Sequence, residues 1–329
     1  MTFFSHSHKG NNAWHLYLIG VLFALGGYFI GQLPLTAVLV YQVSTRTDLG
    51  PDDINGLQEN MDFTRFGIDT NTGFFLMILM FVFAMIGLYA AVKMQKKSFI
   101  TLITPHATIN YQKILTGFIL WALMIMLSEG VTWYMDPEQY TFRFSAMSFI
   151  PLLLIAVFLL PVQTSFEELF FRGYLMQAFG LGTKNKLVTL GITSLLFALM
   201  HGMNPEIEKF GMGTMMFYYI SAGAFLGLIT LMDDSLELAL GVHAATNILG
   251  ATLITYEGSV LQTDTLFMVS EIKPWMMIAA FYVSAFVFYL YCSKKYQWKS
   301  LTYLLEPIKT GENLVEDSID FKQNEGIQP

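Results

Sequence analysis

Residues 149–162 read FIPLLLIAVFLLPV, and residues 164–177 read TSFEELFFRGYLMQ. The first is an uninterrupted apolar run. The second continues it but carries Glu167, Glu168 and Arg172. A carboxylate or guanidinium at mid-bilayer costs about 2.5–3.5 kcal/mol on insertion scales, so three in one helix require either partners or a task. Glu168 and Arg172 stand at i, i+4, share a helix face and can pair, each lowering the other's burial cost. Glu167 is turned away by about 100° and has no such partner within the helix. It must be matched elsewhere in the bundle or hold a proton, which suits a group that accepts and returns protons. Pro161, just upstream, frees the carbonyl of Val157 and predicts a kink before the charged stretch.

The rest of the chain extends the membrane reading. Of 329 residues, 54% are hydrophobic and only 13% charged; a soluble domain carries about 25% charged residues. A span needs about 20 mostly apolar residues, and that rule predicts an all-α polytopic membrane protein with about eight transmembrane helices. They fall at 14–41 (with Pro34 as a kink or end point), 74–92, 114–133, 149–179, 187–203, 214–232, 236–254 and 275–292. The first is too long for a signal-peptide core and reads as a retained span. Residues 42–73 form a polar, acidic loop, and the end, GENLVEDSIDFKQNEGIQP, reads as a solvated, disordered tail. The expected units are a three-helix region (1–147), a core (148–254), a last helix (255–293) and the tail (294–329). No internal repeat is visible, so the inverted-repeat signature of many transporters is missing.

A net charge of −7 with no basic run excludes a nucleic-acid-binding face. The single cysteine, Cys292, excludes an internal disulfide and a CxxC metal site, and reads as a plain interfacial thiol. Lysines gather after the second, fourth and last spans (Lys93, Lys96, Lys97, Lys113; Lys184, Lys186; Lys294, Lys295, Lys299). This bias predicts both termini in the cytoplasm of a plasma (inner) membrane protein.

Spacing brings polar residues of three spans toward one depth. If the fourth and fifth spans turn at GLGTKNK, Glu167 and His201 each lie about 25 Å along their helices from the turn. His243 follows the next turn on that side, DDS, by roughly 14 Å and is shallower. Asn247 is one helical turn further on the same face. Other candidates have plainer readings. Glu129 lies at an interfacial span end, Gly223 and Gly227 form a small-residue packing face, and His106 is a loop residue. His6, His8 and His15 show no ligand spacing.

EELFFR (Glu167, Glu168, Arg172), FALMH (Phe197, His201) and HAATN (His243, Asn247) match, in order, the EExxxR, FxxxH and HxxxN elements of a known family. On these residues the chain resembles the CAAX-protease and bacteriocin-processing intramembrane proteases, which include the Ras-converting prenyl-protein endopeptidase. The resemblance covers about residues 149–254. It implies a helical membrane fold with a conical cavity open toward the cytosol, hence on the side of the termini, and endoproteolysis of a membrane-associated protein or peptide without a covalent intermediate. Carried over, Glu167 activates water, His201 holds that water, and His243 with Asn247 polarises the scissile carbonyl. Glu168 and Arg172 support the first helix. The residues themselves offer no Ser or Cys nucleophile flanked by a base at comparable depth, which agrees with direct attack by water.

Three alternatives stay open at this point. The same fold can serve as a non-catalytic membrane scaffold or bacteriocin-immunity factor. Intramembrane Glu and His can also relay protons in a transporter. Finally, Glu167, His201 and His243 make one carboxylate and two imidazoles, a set suited to a catalytic divalent metal, zinc foremost, so the cofactor expectation is none or one such ion.

Overall fold

The computed structural model describes residues 2–309. Of the polar tail expected at 294–329, residues 310–329 lie outside them, while Tyr303, Leu304 and Ile308 are buried against the bundle because their apolar side chains join its core. In chain order the helices are α1 (Trp14–Thr45), α2 (Pro51–Asn60), α3 (Thr70–Met94), α4 (Tyr111–Met135), α5 (Ala146–Glu168), α6 (Met176–Thr183), α7 (Lys186–Met200), α8 (Pro205–Phe210), α9 (Met212–Asp233), α10 (Glu237–Thr252) and α11 (Pro274–Lys295). The architecture is the expected all-α polytopic membrane fold, since apolar helices satisfy their own backbone where no water can.

Among the described residues six helices are long and apolar enough to cross a membrane, where about eight were expected. The two that fall short are α7, with 15 residues, and α10, with 16. At 1.5 Å per residue each is about 23 Å long, less than a hydrocarbon core of about 30 Å. Both begin at one end of the bundle, and α10 is buried over most of its length. Such a helix need not match the bilayer. Where α4 and α10 meet, a Cβ on Gly241 would fall 2.0 Å from the Ile114 carbonyl oxygen. Only glycine permits that approach, and it fixes the helix two residues before His243.

The chain has two well-separated ends. The segments around Phe3, Lys97, Leu102, Lys184, Asp234 and Tyr303 share one, joined by contacts such as Phe3 N–H to Asp234 Oδ1 (2.9 Å) and Ile308 N–H to the Lys184 carbonyl (2.9 Å). This is the terminal end. The opposite end holds α2, α8 and a small sheet of β1 (Tyr140–Phe142), β2 (Ile254–Tyr256) and β3 (Phe267–Val269). Its strand order is β1-β3-β2; β1 pairs with β3 antiparallel, Tyr140 opposite Val269, and β2 with β3 parallel, Ile254 opposite Phe267. The polar loop after α1 therefore carries a short helix that covers part of this end.

The largest buried cluster lies in the terminal half. Phe3, Phe4, Leu102, Phe166, Phe170, Phe171, Met176 and Leu236 pack there into one apolar floor. Cys292 is fully buried beside Phe288, not interfacial, because its side of α11 faces α4 and α9 rather than the headgroups.

Candidate active site

The charged stretch that opened the sequence lies on the only helix with an interrupted winding among the described residues. Pro151 and Pro161 are accommodated within α5. The departure comes later than Pro161, where Leu169–Leu175 wind as a π-helix before α6 resumes. Wider turns of this kind concentrate at functional sites because they re-aim side chains. Here the π stretch begins directly after Glu167 and Glu168, and all seven of its residues are buried.

Glu168 and Arg172 pair as their spacing predicts, Arg172 Nη1 donating to Glu168 Oε1 at 2.8 Å with both side chains fully buried. Arg172 Nη2 donates to the Gly223 carbonyl (3.1 Å), and the guanidinium lies 4.2 Å from the Phe197 ring centre. Gly223 therefore does more than pack: its carbonyl helps to hold the arginine. Glu168 Oε1 also lies 2.7 Å from His243 Nδ1, so the pair continues into the imidazole. A charge this deep is tolerable only with such partners.

Glu167 is not partnerless within its helix, as its isolation from charged neighbours suggested. Gln163, one turn earlier, donates Nε2–H to Glu167 Oε1 at 2.7 Å, and its own Oε1 accepts from Asn247 Nδ2 at 2.8 Å. Gln163 is a site residue that the sequence reading missed. The other oxygen, Glu167 Oε2, faces His243 Nε2 at 3.4 Å and is buried without a hydrogen-bond partner. The shallower depth of His243 along its helix is thus absorbed, and Glu167, Glu168, His243 and Asn247 join through Gln163 and the imidazole.

His201 caps the C-terminus of α7. Its Nδ1 lies 2.8 Å from the Phe197 carbonyl, so Nδ1 carries the proton and Nε2 is left with a lone pair. The ring sits between Phe197 and Tyr219, at 4.4 and 4.7 Å between centres.

Gln163, Glu167, His201, His243 and Asn247 all line one cavity of about 1170 Å³. Its walls come from α1, α3, α4, α9, α10 and α11, and they reach Ile54 and Leu57 of α2, Tyr140, Tyr256 and Glu271 at the sheet end. None of its lining residues belongs to the terminal-end connections, where the aromatic floor closes the bundle. This corrects one expectation. The cavity and the termini were placed on the same side; they lie at opposite ends, because the large side chains fill the terminal half. Four further carboxylates line the wall, Asp136 and Glu271 toward the sheet end and Glu129 and Glu206 deeper in. Glu129 is half-buried and accepts from the Tyr140 hydroxyl at 3.1 Å instead of lying free at an interface. Glu206 accepts the Val260 N–H at 2.8 Å, and burial holds its carboxyl above the usual range.

The metal expectation meets a mixed test. Both imidazoles have Nδ1 engaged and Nε2 left toward the cavity, and Glu167 Oε2 has no partner, which is the donor chemistry of a metal site. Yet no three His, Cys, Asp or Glu side chains among the described residues are gathered closely enough to hold an ion. The three residues thus have the right chemistry but not a ligand cluster.

Residues 146–249 match the family model of the type II CAAX prenyl endopeptidases, Rce1-like. The chain is also 32% identical over 280 residues to the uncharacterized protein YyaK of Bacillus subtilis (strain 168), a match covering 84% of this chain and 90% of that one. No solved structure matches it.

Proposed function

The chain belongs to the Rce1-like family of CAAX-type intramembrane proteases, and from that premise we propose that it is an intramembrane endopeptidase using a glutamate-activated water. One observation carries the proposal. Glu167 Oε2 lies buried, unbonded and 3.4 Å from His243 Nε2, at the wall of a cavity large enough for a peptide segment.

In this reading Glu167 Oε2 takes a proton from a water whose other hydrogen is held by His201 Nε2. The water oxygen attacks the scissile carbonyl carbon, and the carbonyl electron pair moves to its oxygen. His243, with protons on both nitrogens, gives Nδ1–H to Glu168 and Nε2–H to that oxyanion. Asn247 adds a second donor, since only one of its two Nδ2 hydrogens is used by Gln163. When the C–N bond breaks, Glu167 returns its proton to the leaving amine, so no group is left altered. Glu168 and Arg172 hold His243 in place and touch no substrate. The proton-relay reading has less support, because the site ends in a closed aromatic floor and not in a second opening.

The substrate is a polypeptide segment within or beside the bilayer. Phe29 of α1 and Met203 after α7 line the cavity yet are 62% and 84% exposed, so its wall also faces the bundle's surroundings. The test is a comparison of membrane-protein fragments in cells carrying the wild-type chain or Glu167→Gln. The expected result is a set of fragments lost with the variant while its expression and membrane insertion persist. Unchanged fragments with a well-expressed variant would leave the scaffold reading standing. Zinc bound near one per chain, with activity lost on chelation and restored by zinc, would make Glu167, His201 and His243 ligands instead.

A further inference from the structure

The cavity wall is acidic, and one of its acids is only half satisfied. Among the described residues five carboxylates line the cavity, Glu129, Asp136, Glu167, Glu206 and Glu271, against a single lysine, Lys273, which Asp136 holds at 2.7 Å. Glu206, in α8, is 5% exposed. Its Oε1 accepts the Val260 N–H and so ties α8 to the connection after β2, but Oε2 is buried without a hydrogen-bond partner. Other buried acids are answered from within the chain: Glu168 by Arg172, and Asp233 by Lys113 at 2.8 Å. Lys209, three residues beyond Glu206 in α8, is engaged elsewhere. Its ammonium donates to the Glu257 carbonyl and lies 5.2 Å from the Tyr256 ring centre, and it is not among the cavity-lining residues. A buried charge without a counter-charge is costly, so burial holds the Glu206 carboxyl above the usual range although the Val260 amide and the Tyr219 hydroxyl favour its anion.

Three phenols stand close to the same carboxyl. Tyr218, Tyr219 and Tyr256 all line the cavity, and each feels the charge of Glu206. A carboxylate among aromatic rings suits an organic cation, because the carboxylate pairs with its charge and the ring faces attract it. We propose that Glu206, with Tyr218, Tyr219 and Tyr256, forms a subsite for a lysine or arginine side chain of the substrate. That a substrate fills it rests on the endopeptidase reading; the affinity for a basic side chain does not. The subsite adjoins the proposed chemistry. The Tyr219 ring packs on His201 at 4.7 Å between centres, and its hydroxyl accepts from Asn204 Nδ2 at 3.2 Å. A basic side chain seated here therefore fixes the peptide beside the imidazole assigned to the water. A purely structural role for Glu206, tying α8 to Val260, accounts for Oε1 and leaves Oε2 unexplained. A neutral carboxyl donating to a peptide carbonyl would use Oε2 as well, but it would not tell a charged side chain from an uncharged one.

The experiment measures binding instead of cleavage, on the full chain in detergent with Glu167→Gln to prevent turnover. The probes are short, end-capped, fluorescent peptides of alanine and leucine that carry one lysine, moved position by position, and the same peptides with norleucine in its place. At one or two neighbouring positions the lysine peptide should bind about tenfold tighter than its norleucine twin, the scale of a desolvated cation held by a carboxylate and rings. Adding Glu206→Gln keeps an acceptor for the Val260 N–H and removes the charge. It should abolish the preference while the norleucine peptides bind as before. Should that variant fail to fold, Glu206→Asp draws the charge back by one methylene and should reduce the preference. Glu129→Gln, which alters the acidic wall outside the subsite, should leave it intact. Equal binding of the two peptides at every position, or no binding of either, overturns the proposal. So does a preference untouched by the Glu206 substitution, or one that Glu129→Gln removes equally. A preference dependent on Glu206, found together with unchanged fragments in Glu167→Gln cells, would sink the protease reading and leave the subsite standing.

Discussion

At the scale of single residues, the side chain that most affects the proposed chemistry without taking part in it is Gln163. It bridges Glu167 Oε1 and Asn247 Nδ2, so it fixes the base and one oxyanion donor relative to each other. Gln163→Leu keeps the volume and the helix but deletes both bonds. Misplacing a reacting group by about 1 Å can cost about 100-fold in rate, so kcat should fall by about that much with KM little changed. Kinetics on a cleavable reporter, with melting temperature as the folding control, checks it; an unchanged kcat would show that Glu167 is positioned by other contacts. Glu167, Glu168, Arg172, His201 and His243 were legible in the sequence because charges and imidazoles stand out in apolar runs, and Asn247 because it follows His243 by one helical turn. Gln163 was not, since an uncharged amide does not. The signal was nonetheless present: Gln163 and Glu167 are i, i+4 on one helix face.

At the scale of elements, the winding of the charged helix was the least legible feature. LFFRGYL at 169–175 is buried all round, and a helix apolar on every side carries no periodic phase from which a π stretch could be read. The lengths of α7 and α10 were hidden for a related reason: hydropathy reports burial, and burial within the bundle looks the same as burial in lipid. Connections are different, because their polar groups have to find partners. Lys97, between α3 and α4, is buried and donates to the Ser7 carbonyl (3.1 Å) and the Tyr17 hydroxyl (2.7 Å), pinning the N-terminal segment. Burial lowers its pKa from the usual 10.5 to about 8. Between those values the unfolded chain holds more protons than the folded one, so stability rises with pH across that window. Below about 8 both states are protonated and the full burial cost, up to about 3 kcal/mol, applies. Melting temperatures in detergent should therefore rise from pH 8 to pH 10 in the wild type more than in Lys97→Met. Parallel curves would mean that Lys97 keeps its proton in the folded state throughout the window.

At the scale of the whole molecule, the sequence counted helices and ranked their two ends by charge, but it could not locate the opening. That depends on which half the aromatics fill, and Phe166, Phe170 and Phe171 fill the terminal half only once α5, α7 and α10 have packed. The cavity can be tested as the substrate route without touching the chemistry. Gly250 lies on α10 three residues beyond Asn247, lines the cavity, and a Cβ there meets only Leu261 at 3.8 Å. Gly130 on α4 is exposed, has nothing within 4 Å of its Cβ position, and is not among the cavity-lining residues. Both sites accept a larger side chain at the backbone, and both give up a helix-interior glycine, which costs up to about 1 kcal/mol relative to alanine. Only Gly250→Phe projects bulk into the passage between mouth and site. Gly250→Phe should lower kcat/KM for a long peptide by about tenfold or more, equivalent to about 1.4 kcal/mol of transition-state access, while Gly130→Phe stays at the wild-type value. The loss should shrink for shorter peptides, which need less of the passage. Equal effects of the two substitutions, or a loss independent of peptide length, would mean that substrate reaches Glu167 through a gap between helices instead of through the mouth.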